Sequence, residues 1–376
     1  MLAALRVLAV GNMYPPHHLG GYEVLWHSAM EHLCARGHEV RVLTSDFALD
    51  EPDSSIPEAD HVDRALRWYW KDHDFPRMGA LACRRLERHN AQVFDAAFDD
   101  FGPDVVSWWA MGGMSLSLLP RAHRRGLRSL AVVIDDWPLY APRVDGPLDP
   151  AAVDVWSFCS EVQYDRVRVA VGGAEGNIDR PGADLDLFRE QPAGDWAGRL
   201  LYCGRLDERK GVDLGVAAVR DLPHASLRIV GGGDPSYRAE LETLAARAGV
   251  ADRVTFERAP RAKLPAAYAA SDAVLFPVRW QEPWGLVPLE AMAVGRPVVA
   301  SGRGGSGEYL EDGVNCLIAD PDDGSAALVA ALERLAADPD LRERLRAGGR
   351  RTAERFSRAA FDGAIARRIE ALAPAP

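Results

Sequence analysis

Short apolar runs at Leu5–Gly11, Glu39–Thr44, Asp104–Trp109 and Ser129–Ile134 are separated by stretches with helical spacing. That alternation predicts parallel strands joined by crossover helices. The pattern begins afresh at Arg199–Gly204 and continues through Ser226–Gly231, Arg253–Glu257, Ala273–Phe276, Pro297–Ser301 and Asn315–Ala319. Two doubly wound α/β domains follow, facing each other across a cleft. Between them Gly182–Gly198 is rich in Pro, Gly and Asp and reads as a linker. The domains are placed at residues 1–185 and 186–355. A last helix within 356–376 either ends the second domain or returns to brace the first, and the pattern leaves both open.

A chain of 376 residues that is 48% hydrophobic supplies two cores, so disorder is not expected. The net charge of -11 argues against nucleic acid or an anionic membrane as the main partner, leaving only local or peripheral contact open. Cys34, Cys83, Cys159, Cys203 and Cys316 are dispersed without ligand spacing, and His17, His18, His73 and His89 read as loop or surface groups. Neither a metal site nor a disulfide framework is expected, and a reducing cytoplasm fits this usage. Leu2–Val10 is too short and too interrupted by Arg6 for a signal peptide or a membrane span. No repeat of domain-building length is visible.

The chemistry concentrates at Gln281–Gly302, where Glu282 and Glu290 flank Gly285 and Pro288 at a predicted strand-to-helix corner, the helix being stopped by Gly295 and Pro297. Two carboxylates there suit pairs of sugar or ribose hydroxyls, and free N–H groups at the helix start suit a phosphate. The plainer alternative is one helix-start charge and one solvated glutamate. Tyr202–Gly211 places Arg205 and Lys210 just beyond a strand end, where two cations can hold a diphosphate. Lysine occurs only at 71, 210 and 263, so its use here suggests that a compact ammonium is wanted. The alternative is a solvated turn in which both cations pair with Asp207 and Glu208. In the turn-rich segment Asn12–Glu23, Gly20 and Gly21 precede a helical stretch and offer backbone N–H groups to an anion. No G-x-G-x-x-G follows the first strand, and none stands after Gly204 or around Gly231–Asp234. An NAD-dependent oxidoreductase therefore loses its main support, and Gly231–Gly233 reads as a tight turn.

In order, these motifs resemble the retaining glycosyltransferase family 4 of the GT-B fold. The likeness covers nearly the whole chain and is strongest over Leu200–Ala319. It rests on GR-x4-KG at Gly204–Gly211, EPxG-x3-LEAMAxGxPVVAS at Glu282–Ser301, GG-x2-E at Gly304–Glu308, and PGADLDLF at Pro181–Phe188. The resemblance implies a nucleotide-diphosphate-sugar donor, no metal or other cofactor, and a product that keeps the donor's anomeric configuration. Arg205 and Lys210 would clamp the diphosphate. Glu282 would bind the donor sugar, and Glu290 the ribose. The backbone of Gly285, Leu286 and Val287 would touch sugar or phosphate, Gly20 and Gly21 would close on the diphosphate, and Glu308 would be structural.

One position departs from the family pattern: Ile134–Tyr140 (IDDWPLY) puts Asp135 where relatives often carry histidine. Asp135, or Asp136 beside it, would contact a sugar or acceptor hydroxyl, or else cap the turn. Acceptor recognition is expected in the first domain, with Trp68, Trp70, Asp136 and Trp137 as candidates. The segment Asp63–Arg88 mixes arginine with aromatics, and reads as an acceptor surface, as a segment lying against a membrane with its arginines at lipid phosphates, which its acidic and histidine content disfavours, or as a helix with its rings in the core. The segment after Glu257 (RAPRAKLP) would face the base. Hexosyl transfer to a small molecule, an oligosaccharide or a lipid-linked glycan, in natural-product or polysaccharide biosynthesis, is the expected activity. A sugar-nucleotide epimerase of the same fold is the nearer rival.

Overall fold

A computed structural model describes residues 4–70 and 74–374; Leu2, Lys71 and His73, named above, lie outside the described residues. The chain divides into two compact units, one of Met1–Arg180 with Ala360–Pro376 and the other of Pro181–Ala359. Among the described residues no helix is long and apolar enough to cross a membrane.

The first unit is built on β1 (Arg6–Gly11), β2 (Glu39–Ser45), β3 (Val62–Leu66), β4 (Val105–Trp109), β5 (Arg128–Val133), β6 (Val155–Phe158) and β7 (Gly176–Ile178). They form one sheet in the order β3-β2-β1-β4-β5-β6-β7, every pairing parallel. The crossovers are α1 (Gly21–Ala35), α2 (Ala80–Phe101), α3 (Leu118–Arg124), α4 (Trp137–Asp145) and α5 (Glu161–Val171). Because the order runs outward from β1 and then resumes at β4, right-handed crossovers place helices on both faces. Strands covered on both faces read as unbroken apolar runs, which is why β1 and β4 stood out in the sequence. Gly11 ends β1 where a Cβ would lie 2.5 Å from the Trp109 carbonyl oxygen, so only glycine lets β1 and β4 approach this closely.

Three strands lay outside the apolar runs. β3 carries Asp63 and Arg64 because it is a sheet edge, where charge is tolerated and discourages further pairing. The opposite edge, β7, is only Gly176-Asn177-Ile178. Asp154 just before β6 and Ser157 within it interrupt the run although Trp156 and Phe158 are fully buried. Asp63–Arg88 is consequently not one helix: it begins in β3, passes through a loop holding Trp68 and Trp70, and becomes helical only at Ala80.

The second unit repeats the scheme with β8 (Arg199–Cys203), β9 (Ser226–Val230), β10 (Val254–Glu257), β11 (Ala273–Phe276), β12 (Val298–Ala300) and β13 (Leu317–Ile318). Their order is β10-β9-β8-β11-β12-β13, again all parallel. Its helices are α6 (Val212–Asp221), α7 (Pro235–Arg247), α8 (Leu264–Ala269), α9 (Val287–Val294), α10 (Ser325–Ala337) and α11 (Pro339–Arg355). Gly231 and Gly233, at φ +155° and +156°, carry β9 toward α7 past the carbonyls of Gly204 and Leu206.

The terminal helix α12 (Arg358–Glu370) is fastened inside the first unit. Ser28 Oγ of α1 donates to Asp362 at 2.5 Å, Arg368 meets Asp179 beyond β7 at 3.2 Å, and Phe361, Ile365 and Ile369 are buried. Glu370 accepts from Arg36 Nε at 2.8 Å and from His38 Nε2 at 3.1 Å, while His38 Nδ1 takes the Leu5 N–H. Burial opposes the Glu370 charge, but the bonds from His38 and Arg36 outweigh it and hold the carboxyl below its ordinary 4.5. A depressed folded-state value stabilises the fold above the ordinary value and loses that contribution as pH falls through the lower one. Glu370→Gln is therefore expected to cost about 1–3 kcal/mol at neutral pH by weakening this clamp. In thermal denaturation followed from neutral to strongly acid pH, the gap to wild type should close as pH drops below 4.5.

Candidate active site

In the second unit the chain runs outward from β8 and resumes on its other side at β11, so the loops leaving the carboxyl ends of these two neighbours diverge. Open α/β sheets bind ligands at such a switch point. The loop after β8 turns at Gly211 (φ +67°), where a Cβ would fall 2.1 Å from the Pro277 carbonyl oxygen of the loop after β11. The two loops are also stitched directly: Arg279 N–H donates to the Arg209 carbonyl at 2.8 Å, and the Arg279 guanidinium grips Asp213.

Glu282 and Lys210 meet across this junction. Lys210 Nζ donates to Glu282 Oε2 at 2.6 Å, with both side chains largely withdrawn from solvent at 16% and 11% exposure. Trp280 Nε1 donates to the same oxygen at 2.7 Å, and Glu282 Oε1 has no protein partner among the described residues. The Glu282 backbone is pinned as well, its carbonyl accepting from Gly305 N–H at 2.7 Å beside Gly304, where a Cβ would lie 2.3 Å from that oxygen. Lys210 thus pairs with neither Asp207 nor Glu208. Asp207 instead takes Arg209, whose bonds overcome the opposing effect of burial and hold its carboxyl at about 2. Arg205 is exposed and makes no ion pair among the described residues.

Glu290 sits on the first turn of α9 and is 3% exposed. Its Oε1 meets Arg261 at 3.0 Å and its Oε2 accepts from Tyr268 at 2.9 Å, while Arg261 lies over the Phe188 ring. Each carboxylate oxygen accepts two hydrogen bonds, so Glu290 retains acceptor capacity for a pair of hydroxyls. Cys203, beside this pair, has its thiol pushed up to about 12 by burial and by the Glu290 charge, and is no nucleophile. Gly285 (φ +93°) packs against Phe276 and accepts from Tyr309 at 2.5 Å. Its amide and that of Leu286 donate to nothing among the described residues, and Val287 opens the helix, where first-turn N–H groups have no intrahelical acceptor. Glu308 lies on the turn Gly305–Glu308.

Trp280, Arg261 and Tyr268 were not singled out from sequence. Trp280 had a signal, lying two residues before Glu282; Arg261 falls in the segment suspected of facing the base; Tyr268 had none.

In the first unit, the Gly20 amide donates to Glu23 Oε2 at 3.0 Å, so one of the two glycine N–H groups is used internally beside a carboxylate. Asp135 caps the turn into α4: its Oδ1 accepts the Trp137 N–H at 3.1 Å, and Tyr140 reaches its Oδ2 at 3.4 Å. Asp136 is held bidentately by Arg166 at 2.9 and 3.0 Å. Trp137 is fully buried and stacked on Trp156, which makes it a core residue with no surface to offer an acceptor. Trp68 and Trp70 are half-buried and stacked with centroids 4.7 Å apart, Phe47 packing edge-on to both. Trp68 Nε1 donates to Gly112 O, and the next residue, Gly113, donates to Asp145 Oδ2 at 2.9 Å. His17 and His18 are engaged by loop groups, whereas His89 lies on α2 with its Nε2 at 2.9 Å from the Ala65 carbonyl of β3. Among the described residues no group of three or more His, Cys, Asp or Glu side chains could hold a metal ion.

The family model described as Glycosyl transferases group 1 matches residues 187–352, the part of the chain that holds this site. Similar curated proteins include the D-inositol 3-phosphate glycosyltransferase of Xylanimonas cellulosilytica, 36% identical over 72% of this chain and 69% of that protein. Another is the GDP-mannose-dependent alpha-(1-6)-phosphatidylinositol monomannoside mannosyltransferase of Mycolicibacterium smegmatis, 32% identical over 63% and 68%. Among solved structures, sucrose-phosphate synthase from Thermosynechococcus elongatus superimposes with a TM-score of 0.77 at 23% identity, covering 98% of this chain and 99% of that one. Anabaena HepE in complex with UDP and glucose does so at 0.76 and 20% identity, covering 97% and 99%. These structural likenesses establish the GT-B fold.

Asp135 supplies a test within the first unit. Burial, reinforced by the charges of Asp136 and Glu23, pushes its carboxyl up to about 7 from 3.8, against the bonds from Trp137 and Tyr140. A raised folded-state carboxyl is an asset only while protonated, so wild-type stability falls as pH rises from 3.8 toward 7 and levels beyond. Asp135→Asn keeps an oxygen for the Trp137 N–H and removes the charge. Its melting temperature should gain on wild type across that interval and then run parallel; a constant offset would contradict the buried-acid assignment.

Proposed function

The chain belongs to the glycosyl transferases group 1 family and is a nucleotide-sugar glycosyltransferase; we propose that it is a retaining enzyme that binds its donor on the second unit. Supporting this is the pairing at the β8/β11 switch point, where Glu282 and Glu290, each already satisfied by a cation, flank the open amides of Gly285 and Leu286 at the start of α9. The diphosphate takes those amides, Arg205 and the two ammonium hydrogens of Lys210 not spent on Glu282. The ribose hydroxyls bond to Glu290. Glu282 Oε1, the oxygen without a protein partner, accepts from the donor sugar.

Cleavage of the anomeric C–O bond sends its electron pair onto the departing phosphate oxygen, and preorganised cations and amides stabilise that charge as it forms. The acceptor hydroxyl attacks the anomeric carbon from the same face, and its proton passes to the departing oxygen. Protein groups carry the neutralisation, with no step assigned to a metal. The acceptor is a hydroxylated ring met by the first unit, where Trp68 and Trp70 offer stacked indole faces. A polyhydroxylated small molecule or an oligosaccharide fits, in keeping with a relative named for an inositol phosphate acceptor.

Thermal-shift titration with UDP, GDP, dTDP and their sugars should stabilise the wild type with at least one pair, because a ligand that binds only the folded state raises the melting temperature. Glu290→Gln should weaken that shift. Arg205→Ala should lower kcat by about 10²–10³-fold, as removal of one charge-stabilising donor does. NMR of the product anomer checks retention, and an inverted product would overturn that part of the reading.

A further inference from the structure

Trp280 stands at the centre of the donor-side contacts without being one of the carboxylates or cations considered so far. It follows β11 by four residues and is half-buried. Its ring carries Arg209 at 4.6 Å and Lys210 Nζ at 5.2 Å from the centroid, and its N–H donates to Glu282 Oε2. One indole therefore meets three charges at once, two cations through its π system and a carboxylate through its N–H. Arg209 is in turn fixed by Asp207, whose Oδ1 also accepts the Arg209 backbone N–H at 3.0 Å. The carbonyl of Trp280 accepts the Glu282 N–H at 3.0 Å, so main chain and side chain constrain the same pair.

These contacts solve a geometric problem that the ion pair alone leaves open. An ammonium on a flexible four-carbon stem grips a carboxylate as a point charge and tolerates rotation of the carboxylate plane. A second donor from a rigid indole, arriving at the same oxygen, removes that freedom. Oε2 is then committed to the protein, and Oε1 is kept whole for a ligand. An aromatic ring within reach of both cations also favours their charge by cation–π attraction, worth about 0.5–2 kcal/mol.

We propose that Trp280 is the positioning residue for the donor sugar, fixing the Glu282 carboxylate so that Oε1 alone meets the sugar hydroxyls while Lys210 stays oriented for the diphosphate. The assignment rests on the donor-site reading above and adds to it the residue that enforces sugar selectivity. Its signature is a loss confined to the sugar: Trp280→Phe keeps a ring for the two cations and deletes only the N–H.

The test compares affinities by calorimetry for UDP against UDP-glucose and GDP against GDP-mannose, in wild type, Trp280→Phe and Glu282→Gln, with melting temperatures recorded for each. Wild type should bind the sugar nucleotide of one pair more tightly than its bare diphosphate. In Trp280→Phe that sugar increment and kcat should each fall about 10-fold, the scale of a modest misplacement of a reacting group, while affinity for the bare diphosphate stays within about two-fold. Glu282→Gln should abolish the increment. A Trp280→Phe protein that keeps the full increment, or that loses diphosphate and sugar affinity equally, overturns the positioning role. If Glu282→Gln keeps the increment, or wild type binds neither pair, the donor-site reading itself falls and the role of Trp280 with it.

Discussion

Lys210 and Glu282, 72 residues apart in sequence, meet at 2.6 Å with little of either exposed to water. Removing two charges from solvent is costly unless geometry and further hydrogen bonds compensate, and a bare pair in such a place often contributes nothing net. Here the compensation is visible: the Trp280 N–H on the same oxygen, two cations within cation–π reach of one indole, and a main chain held by Gly211 against Pro277 and by Gly304 against Glu282. Remove the close backbone approaches and the two loops separate, and the charges with them. The glycines of the two motifs are therefore what place the chemistry, since no other residue fits between those carbonyls.

The same logic governs Glu290. A glutamate on the first helical turn benefits from the unpaired amide dipoles there, and Arg261 with Tyr268 satisfies both of its oxygens before any ligand arrives. Each donor-side carboxylate is thus held with its own cation. Lys210 thus has a partner already in place, whereas Arg205 makes no ion pair among the described residues.

The elements legible in the sequence were the central strands, because burial on both faces leaves unbroken apolar runs: β1, β4, β8 and β11 could hardly be mistaken. In the first unit both edges were missed, along with the interior β6. β3 with Asp63 and Arg64, and β7 with three residues, carry no such signal, since one side of an edge strand faces water. At the site, motif spacing suggested that Glu282, Glu290, Arg205 and Lys210 belong together, and of these the structure shows Lys210 and Glu282 in contact. What spacing could not provide was which charge pairs with which. The reading of a solvated turn gave Lys210 to Asp207 or Glu208, neighbours in sequence, whereas the structure gives it to a residue on another loop. Trp137 failed in the opposite direction: it was expected among the acceptor-recognition residues, but at the start of α4 it is buried and stacked on Trp156 in the core.

The fastening of α12 bears on how the polypeptide is assembled. Asp362, Arg368 and Glu370 complete a unit whose other members all precede residue 181. On the ribosome, that first unit waits with part of its apolar surface uncovered while the whole of the second is made, so the order of synthesis is not the order of completion. A fragment cut at the boundary after Arg180 would expose the surface that Phe361, Ile365 and Ile369 cover. The second unit, by contrast, is an uninterrupted segment that can close as soon as it emerges.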